Sequence, residues 1–109
     1  MKERPRTGIT NEKQFVVERT HAIDFSDEHM PAVLSTPWLI WFLEHTARDA
    51  VLSSLETGES TVGTDIEIAH LAPTLVGQTV TCLARIIGSE GTRVSFHLEA
   101  RDSHELIAR

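Results

Sequence analysis

Trp38-Leu39-Ile40-Trp41-Phe42-Leu43-Glu44 is the stretch on which the reading of this chain turns. Six apolar residues run in succession and end in a carboxylate. A helix that is apolar nearly all round is buried on most of its faces rather than laid on a surface. Glu44 is then expected to be buried, and a buried carboxylate must be paired, hydrogen-bonded or neutralised. Environments of that kind are where acids and bases are tuned for chemistry. The other reading places Glu44 on a single wet stripe, paired with Arg48 four residues on. The segment by itself leaves both open.

Working outward, Thr36 reads as the N-cap and Pro37 as the first helical residue. The helix is expected from Pro37 to Leu55, with Gly58 as its stop. Residues 1–12 are polar, hold Pro5 and Gly8, and read as a loose arm. Phe15-Val16-Val17 begins a strand. Thr20 to Phe25 reads as a second strand or an extended segment, and Ser26-Asp27-Glu28-His29 as a polar turn.

After the helix the chain reads as strands. Thr61 to Ala69 is rich in β-branched residues, with Val62, Ile66 and Ile68 set against polar neighbours. Thr79 to Ile87 is long and β-prone, Gly88-Ser89-Glu90-Gly91 is a turn, and Val94, Phe96 and Leu98 alternate with polar residues as in a strand with one wet face. Leu106-Ile107-Ala108 begins a further strand. The expectation is a single α+β domain over residues 1–109, an antiparallel sheet wrapped around one long helix. The stop at Arg109 suggests that a final strand is missing, which would leave an unpaired sheet edge.

Composition narrows the function. The chain has 109 residues, 40% hydrophobic and 24% charged, which is globular composition. A formal net charge of -6 argues against nucleic acid as a partner, because phosphate binding needs a basic patch. The one cysteine, Cys82, allows no internal disulfide and reads as a small buried hydrophobe. No stretch is long enough to span a membrane, and Met1-Lys2-Glu3-Arg4-Pro5 lacks the apolar core of a secretory signal. A soluble, cytoplasmic protein without membrane contact is expected. No paired His or Cys spacing of the zinc kind is present, so no metal or other cofactor is expected.

Several motifs in order carry a resemblance: Pro31-Ala32-Val33-Leu34-Ser35-Thr36 entering the helix, Leu43-Glu44 within it, Gly63-Thr64, then Ile68-Ala69-His70-Leu71-Ala72-Pro73, and the later Gly77-Gln78-Thr79-Val80 and Gly91-Thr92-Arg93. Over roughly Met30 to Ala108 the chain resembles the hotdog-fold thioesterases, in the subgroup typified by fluoroacetyl-CoA thioesterase. The resemblance implies hydrolysis of an acyl-CoA thioester by a threonine, a glutamate and a histidine, which fall on Thr36, Glu44 and His70. It places Gly63, Thr64 and Met30 at the substrate, with Gly63 free of a side chain that would obstruct a close approach. Met30 stands where the fluoroacetyl-specific enzyme resembles a site with an aromatic gate, so a general short or medium acyl-CoA is expected instead.

The chemistry suits these residue types. A carboxylate can attack a thioester or drive water onto it, a histidine can move the proton, and backbone N–H groups can hold the oxyanion. Thr36 and Glu44 are eight positions apart, roughly 12 Å along a helix. For both to act on one thioester, the substrate must bridge them, the chain must bend at the cap, or one must come from a second subunit. Hotdog proteins resemble the last case, so a homodimer with its site at the subunit interface is expected. Blander roles stand beside these: Thr36 as a helix cap only, His70 as a structural histidine, and the whole as a non-catalytic acyl-CoA or small-ligand binding module. An enoyl-CoA hydratase reading rests on Asp24 and His29, five positions apart.

Overall fold

The computed structural model describes residues 1, 3–23 and 29–109. One helix, α1 (Thr36–Ala50), lies on one face of a four-stranded antiparallel sheet. The strands are β1 (Thr10–Val16), β2 (Thr79–Glu90), β3 (Arg93–Arg101) and β4 (Leu106–Ala108), in that spatial order. This is the expected α+β layout.

The sheet buries the face that the alternation of β2 marks out. Val80, Cys82, Ala84 and Ile86 are buried, while Thr79 and Arg85 on the opposite face are exposed. Ala100 on β3 and Ile107 and Ala108 on β4 complete that face. Four of these residues are small, so the helix can settle close to the sheet. Leu39 and Leu43 of α1 are fully buried there, each contributing about 1.5–3 kcal/mol of apolar burial. Gly88 follows a register shift after Ile86, which kinks β2 before its hairpin to β3.

Five local expectations are corrected. The helix is capped by Ser35, not Thr36: the Ser35 hydroxyl accepts the Trp38 N–H at 3.4 Å, and Thr36 is the first helical residue. The helix ends at Ala50 because the Val51 N–H turns back to the Arg48 and Asp49 carbonyls, and a short 3-10 turn follows over Leu52–Ser54. β1 starts at Thr10, inside the segment read as an arm, and Thr10 pairs with Arg85. Arg19–His21 form a 3-10 turn where a strand was one reading; the remainder of that run, from Asp24, lies outside the described residues, as does most of the turn after it. Thr61 to Ala69 is not a strand: among the described residues it has no ladder partner, and Val62 is 85% exposed. Its alternation reports side chains suited to a sheet, but pattern alone supplies no neighbour.

The outer edge of β4 is covered rather than open. Ala69 and Leu71 donate to the Arg109 and Ile107 carbonyls at 2.9 and 2.7 Å, and Arg109 donates back to Ala69 at 3.2 Å. This bridge fixes the backbone of His70 opposite Ala108. Among the described residues no helix is long and apolar enough to cross a membrane.

Candidate active site

Two elements bring Thr36 and His70 together. Because Ser35 takes the capping bond, the Thr36 hydroxyl is available at the helix start. His70 is presented by the bridge to β4. Thr36 Oγ1 and His70 Nδ1 lie 2.8 Å apart and share a hydrogen bond. When the ring carries its proton on Nε2, the hydroxyl donates to Nδ1. Nε2 is buried and has no hydrogen-bond partner among the described residues. Buried polar atoms are nearly always satisfied, so an orphan of this kind asks for a ligand, a water or a second chain. Burial, the largest influence, holds the His70 pKa below the ordinary histidine value of 6.5, with the Ala72 backbone acting the other way. A neutral imidazole next to a hydroxyl can accept a proton.

Glu44 stands two turns along the same helix, and its surroundings decide between the two readings. It is exposed, not buried. The helix is apolar round much of its surface, but the sheet covers only the side of Leu39, Leu43, Thr46 and Ala47. Trp41, one turn before Glu44, is itself 45% exposed, with its ring stacked on His45 at 3.8 Å. The alternative pairing fails as well: Glu44 forms no ion pair with Arg48 among the described residues. Its close neighbour is Gly63. A Cβ built on Gly63 would collide with the Glu44 Oε1 atom and lie 3.1 Å from its Cδ. A side chain at position 63 would require the Glu44 carboxylate, the free end of an exposed side chain, to move aside. Thr64 is exposed beside it.

The predicted residues therefore fall into two groups, Thr36 with His70 and Glu44 with Gly63, separated by roughly 12 Å of helix. Met30 lies elsewhere. It lines a cleft of about 500 Å³ formed with Pro31, Val33, Pro73 and Leu75. Val33 and Leu75, which pair with each other in an antiparallel bridge and both line this cleft, were not singled out as site residues in the sequence. Asp24, on which the hydratase reading rested, lies outside the described residues.

A family profile described as fluoroacetyl-CoA-specific thioesterase matches residues 16–109. The chain is 34% identical over 108 residues to a fluoroacetyl-CoA thioesterase of Streptantibioticus cattleyicolor, covering 94% of this chain and 78% of that one. Among solved structures it is similar to a variant of a fluoroacetyl-CoA-specific thioesterase in complex with fluoroacetate and CoA, at TM-score 0.86 and 31% identity, covering 94% of this chain and 87% of the other. It is also similar to a thioesterase superfamily member from Thermus thermophilus, at TM-score 0.85 and 32% identity, with 95% and 77% covered. The fold is the hotdog fold.

Proposed function

Since this chain belongs to the fluoroacetyl-CoA-specific thioesterase family, we propose that it hydrolyses short or medium acyl-CoA thioesters with Thr36, Glu44 and His70, in a site completed by a second copy of the chain. It is an acyl-CoA thioesterase; the residue set and the shared site are our reading. The observation that carries them is the 2.8 Å Thr36–His70 bond with its orphaned Nε2, set two helical turns from an exposed carboxylate that lies against the Gly63 backbone.

In this reading Glu44 supplies the carboxylate, as nucleophile or as the base that drives water onto the acyl carbon. Water's oxygen bonds to the acyl carbon, directly or by opening an acyl–Glu44 anhydride; the C–S bond breaks, the acyl group leaves as a carboxylic acid, and the proton taken from water passes to the coenzyme A thiolate. His70, kept neutral by its burial, moves that proton, and Thr36 holds the imidazole in position. The Gly63 N–H supports the oxyanion. A two-fold axis that sets two helices antiparallel would carry Glu44 of one copy toward the Thr36–His70 pair of the other. The β-prone stretch before Ala69 and the exposed Val62, Ile66 and Leu71 supply surface for that second copy.

The test is thiol release from acetyl-, halogenated acetyl- and medium acyl-CoAs by wild type and Glu44→Ala. A fall on the order of 10²–10⁴-fold in kcat is expected, with folding and assembly kept. Full turnover by Glu44→Ala would remove it from the reaction, and no turnover of any substrate by a folded, dimeric wild type would favour a binding module.

A further inference from the structure

We infer that Trp41 sets the register in which two copies of this chain pair: the exposed stripe of α1 packs antiparallel on the same stripe of a second copy, the two Trp41 side chains meet at the two-fold axis, and each Glu44 comes to the helix start of the other copy. The pairing stands on the helix surface alone; the shared site it creates rests on the thioesterase reading above.

The stripe is narrow. Beyond its first residue, α1 exposes Pro37, Trp41, Glu44 and Arg48, while Leu39, Leu43, Thr46 and Ala47 are buried. At about 100° per residue the four exposed positions fall within roughly 60° of one another, on the side turned away from the sheet. They recur at intervals of four, three and four residues, which is the spacing of a seam between two helices. Trp41 sits near the middle of this seam and is 45% exposed. Its ring is already held. His45 Nδ1 donates to the Trp41 carbonyl at 2.8 Å, the two rings stack at 3.8 Å, and Phe42 meets the indole edge-on at 5.0 Å. A large aromatic ring fixed before association loses little freedom on binding, which suits it to anchor an interface.

A second copy fits this seam in one direction. Residues 36–43 carry no charge, and the first charged residue is Glu44. In a parallel pair Glu44 would face the partner subunit's Glu44 and Arg48 the partner subunit's Arg48, so like charges would repel along the seam. In an antiparallel pair each carboxylate lies instead toward the start of the other helix, where free N–H groups and the helix dipole favour an anion. Such a contact uses one patch twice and closes on itself as a dimer.

The level of the axis decides what Glu44 meets. With the axis at Trp41, Glu44, three residues on, is level with the partner subunit's Trp38, three residues back. Thr36 of the partner subunit is then about 3 Å further along the axis, against roughly 12 Å between Glu44 and Thr36 within one chain. Moving the axis by one turn would shift Glu44 by about 11 Å relative to the partner subunit's Thr36, because both helices slide. The Thr36–His70 pair, with Nε2 of His70 still lacking a partner, is the group this register supplies with a carboxylate.

Three measurements test this. Cys82 is buried and its thiol is pushed up to about 11, so a new surface cysteine is the reactive one. Trp41→Cys should form a covalent dimer under mild oxidation. Arg48→Cys should not, because the two positions would lie about 21 Å apart along the axis, beyond the roughly 7 Å that a disulfide spans. The reverse pattern overturns the register. The native side chain can be followed in Trp38→Phe, where Trp41 is the only tryptophan left. Its emission should move to the blue as sedimentation shows dimers forming. Dimers without that shift, a shift caused only by coenzyme A, or no dimer at any concentration each overturn the pairing. Lastly, Glu44→Ala and His70→Ala, each inactive alone, are co-expressed. Half of the dimers should be mixed, each with one intact site, so about a quarter of wild-type activity should return. No recovery by isolated mixed dimers overturns the shared site. Absence of turnover by wild type removes the thioesterase reading instead, and cross-linking and emission then decide the pairing by themselves.

Discussion

Gly63 and His70 show how narrow the tolerances of the site are. The Gly63 backbone passes so near the Glu44 carboxylate that a single methyl group would displace it. If Glu44 acts as proposed, Gly63→Ala should lower kcat on the order of 10²-fold, since small misplacements of a reacting group are costly. Its melting temperature should hardly change, because both residues are exposed. His70 gives a pH signature. Its folded pKa lies below 6.5, so on acidification the unfolded chain takes up the proton first. The associated stability is fully present above about pH 6.5 and is lost as pH falls through the folded value. Urea titrations between about pH 7.5 and pH 5 should show this loss in wild type and a smaller one in His70→Asn. The Thr36–His70 bond and the closeness of Glu44 to Gly63 join residues that the sequence had already singled out. Whether Glu44 is exposed was left open there, because a run of apolar residues cannot tell which side of a helix the sheet covers.

At the level of elements, the helix start divides two duties between adjacent residues. Ser35 caps α1 and Thr36 turns to His70. Ser35→Ala should cost about 1 kcal/mol of stability by urea titration, and Thr36→Ala less, because only the first loses a capping bond. Leu43→Ala should cost about 2–5 kcal/mol, since Leu43 is fully buried against the sheet. The helix, β2 and β3 were readable because their periodicities coincide with the face that the core buries. The Thr61–Ala69 segment was misread because β-branched alternation reports a fit to a sheet without naming the strand beside it. The Ser35-for-Thr36 exchange was missed because both residue types can cap a helix and they stand side by side before Pro37.

The whole molecule is drawn out, at 51 × 26 × 20 Å, and its radius of gyration of 15.2 Å exceeds the roughly 13 Å of a compact chain of this length. One sheet covers one side of one helix, and the other side keeps Trp41 in solvent, with Val62 and Ile66 also exposed nearby in sequence to Gly63. A second copy is the simplest cover for this surface. Val62→Asp should weaken assembly by sedimentation and lower activity in parallel, although Val62 touches no proposed catalytic group. The eight-residue spacing of Thr36 and Glu44 raised a partner as one of three readings; which surface a partner would use was not legible, because exposure is a property of the folded chain. Cys82 sits at the opposite extreme. Burial, opposed by Thr46, pushes its thiol up to about 11, and it is the only cysteine in the chain. A coloured thiol reagent mixed with native enzyme and substrate should thus count released coenzyme A against a silent background, and one extra equivalent of colour per chain would be the clock of its denaturation.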